Sequence, residues 1–296
     1  MGVLFESKAA IEPDYMRKKK AVEKRLGHSI SNAEFEDKYL VINVGGGRLS
    51  DTGTSIFDPV LTETLIHWFT AEGDAVIDPF AGGSVRGIVT GILGRNYCGV
   101  DLRQEQIDAN KEQGDAIKPE AMPVWICGDS MKIQELAYGD YDFIITCPPY
   151  GNLEVYSDDP ADISNMFDED FDKTYCEILK KTVAMLKHDR FAAVVVGNYR
   201  DKKGYLRDLV GLTVRAMEDA GARYYNDFVI VTPIGSLPIR AGKAFQTSRK
   251  MGRTHQYCLC FVKGDPKKAT ARLGDVELPD MQMYCEEDNN EGVEAL

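Results

Sequence analysis

Apolar residues recur along this chain in short runs, separated by longer stretches of helical spacing. Ala75-Val76-Ile77 ends in Asp78, and Tyr97 to Val100 ends in Asp101. Val124 to Cys127 leads into Gly128-Asp129, and Tyr141 to Thr146 leads into Cys147. Such runs suit strands buried on both faces of a sheet. Between them the spacing shifts to a period of three to four residues: Val60, Leu61, Leu65, Ile66 and Phe69 over Pro59–Phe69, then 85–93, then a helix reaching Gln113. Farther on, the pattern predicts a helix over 170–187, a strand over Phe191–Gly197 and a helix over Leu206–Ala220. Two last strands follow, Tyr225–Val231 and Gln256–Val262.

Strand–helix alternation of this kind predicts an α/β fold with a doubly wound, mostly parallel seven-stranded sheet. Only the last two strands lack a helical link in the pattern, so a C-terminal antiparallel hairpin is expected there. Residues 1–50 read as an N-terminal extension, partly basic at Arg17-Lys18-Lys19-Lys20, with Gly45-Gly46-Gly47 as a connector. Residues 51–264 form the main domain, including a basic loop at 232–254. Residues 265–296 read as an acidic, flexible tail.

Composition narrows the class. The chain has 296 residues, enough for one substantial core, and 44% of them are hydrophobic. No window holds the roughly 18 consecutive apolar residues of a membrane span, and Met1-Gly2-Val3-Leu4-Phe5-Glu6 does not begin a secretory signal. A cytoplasmic protein without a membrane partner is expected. The seven cysteines form no disulfide framework, and buried thiols are expected. Cys258 and Cys260 lack the companions of a zinc site, so no metal is expected. The net charge is −12, yet eight acids beyond Arg272 carry much of it; without them the balance is −4. Residues 232–264 contain no acid at all but carry Arg240, Lys243, Arg249, Lys250, Arg253 and Lys263. A solvated surface is the plainer reading of such a stretch, and phosphate contact is the functional one.

The chemistry gathers at strand ends. In a doubly wound sheet, ligands bind outside the carboxyl ends of the strands, where strand order reverses. Asp78-Pro79-Phe80-Ala81-Gly82-Gly83-Ser84 is a strand end turning into a helix, with glycines that let a ligand approach the backbone. Asp101 closes the next strand and suits a ribose. Asp129 follows the third and could accept a hydrogen bond from an adenine amino group. Each acid alone would more often be a turn or cap residue. After the fourth strand, Cys147-Pro148-Pro149-Tyr150 combines prolines that lack N–H donors with an aromatic ring. Carbonyls there stay available to accept hydrogen bonds from an amino group, beside a ring that suits a flat base.

Taken in order over residues 51–264, these segments resemble the S-adenosylmethionine-dependent DNA amino-methyltransferases of the adenine-N6 or cytosine-N4 type. The resemblance implies a Rossmann-like methyltransferase fold and methyl transfer to a flipped DNA base. Phe57, Asp78, Pro79, Phe80, Ala81, Gly82, Gly83, Ser84, Asp101 and Asp129 would bind the cofactor. Phe57 belongs to Ser55-Ile56-Phe57-Asp58-Pro59, which is similar to the segment that helps hold the methionine moiety. Cys147, Pro148, Pro149 and Tyr150 would form the catalytic element. Cys147 departs from the Asp, Asn or Ser usual at that place, and sulfur is a weak acceptor. Arg240, Lys243, Arg249, Lys250 and Arg253 would contact DNA.

Other readings stay open at this stage. The protein could instead be an RNA or protein amino-methyltransferase. The fold could also be a degenerate, non-catalytic binding module. A nicotinamide-dependent dehydrogenase would need a Gly-x-Gly-x-x-Gly turn, which residues 78–84 do not supply. The choice of adenine or cytosine, the recognition sequence, a homodimer and a restriction or recognition partner are not legible.

Overall fold

The computed structural model describes residues 57–151, 157, 159–201, 203–231 and 237–274. The N-terminal extension with its basic run, Ser55, Ile56, part of the polar loop after Tyr150 and the acidic stretch from Asp275 onward lie outside them. The first helix, α1 (Pro59–Phe69), shows how local chemistry sets an element. Asp58 accepts the Val60 N–H at 2.9 Å, and Pro59 occupies the first turn, where no N–H is needed. β1 (Ala75–Asp78), α2 (Val85–Ile92), β2 (Asn96–Asp101), α3 (Gln104–Ile117), β3 (Val124–Cys127), α4 (Ile133–Leu136) and β4 (Tyr141–Thr146) follow. Then come α5 (Asp168–Met185), β5 (Leu186–Val196), a ribbon of β6 (Tyr199–Arg200) and β7 (Leu206–Arg207), and α6 (Leu209–Asp219). β8 (Arg223–Val231), α7 (Leu237–Ser248), β9 (His255–Lys263) and α8 (Pro266–Ala271) complete the domain.

The main sheet has the order β3-β2-β1-β4-β5-β9-β8. β3, β2, β1, β4 and β5 pair in parallel, while β9 runs antiparallel to both β5 and β8. All six residues of β4 are buried, as expected of a central strand covered on both faces. Ile77, Ile144, Ala192 and Val194 pack under α5 and α6 through Phe171, Tyr175, Leu179 and Met217. Val76, Phe143, Ile145 and Val195 face the other way, against Leu65, Ile66 and Ile88 of α1 and α2. Strand order reverses between β1 and β4, and this opens a crevice at their carboxyl ends.

The pattern of apolar residues located all seven main strands, but three expectations change. β8 and β9 do pair antiparallel, with Val231 opposite His255, yet they are not joined by a loop alone. Helix α7 lies between them. Pro238 falls in its first turn, where a missing N–H is harmless, and the single interior Gly242 costs only about 1 kcal/mol relative to alanine. Leu206, expected to begin a helix, belongs to the β6–β7 ribbon. The helix starts at Leu209 because the Asp208 carboxylate accepts the Gly211 N–H at 3.0 Å. Residues 265–274, expected to begin a flexible tail, fold instead as α8 and its exit. Asp265 caps that helix and Ala269 is buried. The thiols also divide. Cys98, Cys258 and Cys260 are buried, whereas Cys127 is exposed and reaches the Leu102 carbonyl at 3.4 Å.

Arg272, just beyond α8, reaches the opposite edge of the sheet from the crevice, where it pairs with Asp74 and with Asp142. Asp142 also accepts from Lys187 Nζ and Arg190 Nε, each at 2.8 Å, and from the Ala75 N–H at 3.2 Å. Burial by itself would raise this carboxyl, but the Lys187 and Arg190 hydrogen bonds overcome that and hold it down at about 2. An unfolded aspartate protonates near pH 3.9. The cluster's contribution is therefore full above about pH 4 and drains as pH falls through the folded value. Urea unfolding should show stability falling as pH drops from about 4 to about 2, with a shallower fall in Asp142→Asn. Equal slopes in the two proteins would refute this account of the cluster.

Candidate active site

The crevice is organised by a carboxylate that faces away from it. Asp78, at the end of β1, is fully buried, and each of its oxygens takes two donors. Oδ1 accepts from the Phe80 N–H at 3.0 Å and the Thr146 hydroxyl at 2.7 Å. Oδ2 accepts from Arg86 Nε at 2.7 Å and the Tyr97 hydroxyl at 2.9 Å. Arg86, buried in α2, also donates to the carbonyls of Phe80 and Ala81, and its guanidinium lies over the Phe57 ring at 4.6 Å. Desolvation works against the charged guanidinium, but Asp78 more than offsets it and raises its pKa. Burial first, and Asp78 second, push the Tyr97 phenol well above its ordinary value. Asp78 is thus an internal hub linking β1, β2, β4 and α2, and its oxygens are committed to the protein rather than to a ligand.

The turn held by this hub is open to a ligand. Gly82 has φ +50, a conformation that suits glycine, and its N–H donates to Asp101 Oδ2 at 2.9 Å. The Gly82 carbonyl accepts from Asn110 at 2.7 Å, and the Ala81 N–H donates to the Val100 carbonyl at 2.9 Å. Nothing stands within 4 Å of where a Gly83 side chain would begin. Asp101 also accepts the Arg103 N–H at 2.9 Å; burial raises its pKa, against the pull of Arg103 and the Gly82 N–H. Next to it, Leu102, Gly128, Ser130, Ile163 and Ile178, with the acids Asp129 and Asp162, line a small pocket. Asp129 accepts the Met131 N–H at 2.8 Å, so it caps a 3-10 turn while lining that pocket. Ser130 ties the same turn to the Pro79 carbonyl at 2.6 Å.

Across the strand reversal stands the segment that the sequence suggested as catalytic. β4 ends at Thr146, whose bond to Asp78 fixes it against β1, and Cys147, Pro148, Pro149 and Tyr150 follow on the same edge as Gly82. Pro148 is buried and Tyr150 half-buried. Tyr199 lies nearly parallel to Tyr150, with 22° between planes and 6.4 Å between centroids. The Tyr150 hydroxyl accepts from Gln256 Nε2 at 2.6 Å. Gly151 has φ +52, and a side chain there would run into the Tyr199 hydroxyl. Cys147 packs with the cluster on the α1 face, whereas Tyr150 packs with the cluster on the α5 face.

The expected nucleic-acid residues lie on α7 and the chain that follows it into β9. Val231 and His255 pair with one another at the carboxyl edge, so this segment begins and ends at the same edge of the sheet as the crevice. Lys243, Arg249 and Arg253 are exposed, and Lys250 is half-buried next to Gly204. Arg249 packs over Phe245 at 5.1 Å, and Arg253 reaches His255 at 3.2 Å. Arg240 lies on α7, in a turn whose side chains are outside the described residues. Sequence reasoning missed Arg86, Tyr97, Thr146, Tyr199 and Gln256. Arg86 alone left a visible signal, as a charge eight residues past Asp78 inside an otherwise apolar and small-residue helix.

A family model described as DNA methylase matches residues 6–112. Among solved structures, TrmN from Thermus thermophilus is similar at 17% identity, covering 70% of this chain and 49% of that one, with a TM-score of 0.49. This chain thus spans about half the length of the Thermus protein. A methyltransferase from Pyrococcus furiosus is similar at 14% identity over 86% of this chain and 100% of that one, with a TM-score of 0.49. A TehB-like SAM-dependent methyltransferase from Corynebacterium glutamicum is similar at 17% identity over 71% and 90%, with a TM-score of 0.44.

The sheet order defines the fold class, Rossmann-like α/β, and the partial family match over residues 6–112 supports methyl transfer from S-adenosylmethionine. Within that class, the match supports the N6/N4 DNA methyltransferase family for this chain. The residues present fit the cofactor: an open glycine turn, a carboxylate at the end of β2, and a small pocket lined in part by Asp129. Among the described residues no group of His, Cys, Asp and Glu could hold a metal ion, and no helix is long and apolar enough to cross a membrane.

Because Asp78 holds a buried cation, Asp78→Asn should cost about 3 kcal/mol in urea unfolding, the scale of breaking a buried pair. A cost near zero would show that the four-donor hub does not hold the fold.

Proposed function

We propose that this protein methylates the exocyclic amino group of a base extruded from DNA, at adenine N6 or cytosine N4. The observation that carries the reading is the placement of Tyr150 and Gly82 on one edge, across the strand reversal, joined through the Thr146–Asp78 hydrogen bond. When bound, S-adenosylmethionine supplies an electrophilic methyl group. Phe57 and the turn from Pro79 through Phe80, Ala81, Gly82 and Gly83 to Ser84 would hold its amino-acid end. Asp101 would take the ribose, and Asp129 the adenine edge.

The protein's own part is to position the acceptor. Extrusion costs a few kcal/mol, which contacts in the pocket offset. Tyr150 offers one ring face to the base, while Tyr199 backs the other. The Pro148 carbonyl, with the weaker acceptor Cys147, would orient the amino hydrogens and leave the nitrogen lone pair unengaged. The chain's contribution is orientation and fixed dipoles, and no covalent base adduct is required. Lys243, Arg249, Lys250 and Arg253, together with Arg240, would contact backbone phosphates beside the crevice.

Methyl incorporation into duplex DNA, single-stranded DNA, RNA and protein tests the reading directly; transfer to RNA or protein alone would overturn the DNA assignment. Tyr150→Ala should lower kcat by about 100-fold or more, because stacking is worth a few kcal/mol per base, while cofactor affinity stays within about threefold. Equal losses in both would contradict its role. Replacing Arg249, Lys250 and Arg253 together with Gln should weaken DNA binding and flatten its salt dependence by up to about three units of log–log slope. An unchanged slope would remove this segment from the interface.

A further inference from the structure

β9 begins two residues after Arg253, and because it runs against its neighbours its first residues lie at the same edge as the end of β4. Gln256 is therefore carried to Tyr150 by the sheet itself, although 106 positions separate them in sequence. Its amide nitrogen donates to the phenolic oxygen at 2.6 Å. Gly197, at the end of β5, has no side chain to intervene; a Cβ there would sit 3.5 Å from the Gln256 Cγ and 3.8 Å from the Tyr150 hydroxyl oxygen. Tyr199 covers one side of the ring. The ring is thus oriented by Tyr199, nearly parallel to it, and by the Gln256 hydrogen bond to its hydroxyl.

We propose that Gln256 is a positioning residue for methyl transfer, holding Tyr150 in its stacking orientation through the phenolic hydroxyl. This rests on the function proposed above. A Phe at position 150 would keep the ring but lose this tie, so Tyr150→Phe isolates what the hydroxyl contributes. The tie also joins the catalytic element to the strand that directly follows the basic segment, so the base-gripping ring and the phosphate-contacting residues share one rigid mount.

The test is a double-mutant cycle in the full chain, with Gln256→Leu, Tyr150→Phe and the pair, read as kcat, KM for the nucleic acid and cofactor Kd. Each single variant should lose about tenfold in kcat, the scale of one hydrogen bond, with cofactor Kd unchanged. The pair should be no worse than the poorer single variant. Gln256→Glu, which can accept from the phenol where glutamine donates, should recover kcat to within about threefold of wild type. Multiplying losses in the pair, full activity in Tyr150→Phe, or a Gln256→Leu loss confined to thermal stability would each overturn the proposal. A wild-type protein that methylates no acceptor would instead refute the function on which it rests. An active wild type with a failed cycle refutes only the part assigned to Gln256.

Discussion

Everything at the crevice depends on one buried ion pair, Asp78 with Arg86. A charge removed from water is costly, and its partner repays that cost only when the remaining lone pairs are also satisfied. Here they are: Thr146, Tyr97 and the Phe80 N–H complete the carboxylate, and two carbonyls take the other side of the guanidinium. Because the four donors come from β4, β2, α2 and the turn after β1, the pair fixes these elements relative to one another. The glycine turn and the Pro-Pro-Tyr element gain their mutual geometry from a group that touches neither ligand.

That arrangement suits a reaction in which the protein need not supply a reagent. An amino group and an activated methyl react when they are aligned and dry, so a rigid rim can provide most of what is required. The four consecutive buried residues from Phe143 to Thr146 stiffen the acceptor side, and the Asp101–Gly82–Asn110 bonds stiffen the donor side.

Much of this was legible in the sequence because the strands end in chemistry. Short apolar runs closed by Asp78, Asp101, Gly128-Asp129 and Cys147-Pro148-Pro149-Tyr150 gave both the fold and the edge on which ligands meet. The hub was not legible, since an aspartate at a strand end looks the same whether it faces a ligand or an arginine beneath it. Helix α7 was hidden by Pro238 and Gly242, which read as a loop although both fit where they fall. Arg272 was masked by the acidic composition that follows it; its partners Asp74 and Asp142 are 198 and 130 residues away. Gln256 left no signal at all, because a glutamine in a strand acquires meaning only when the sheet brings a phenol to it.

The acidic overall charge is no obstacle to a nucleic-acid partner. Exposed charges act over about 8–10 Å at physiological ionic strength, so the field at the crevice is set by what lies along it rather than by the total. The residues between Val231 and His255 include no acid, and their basic side chains flank the edge that carries Tyr150. The acids beyond Arg272 weigh on the net charge but not on the composition of this segment. A chain with net charge −12 can therefore present a cationic margin, and such a margin is compatible with the phosphate backbone proposed as its partner.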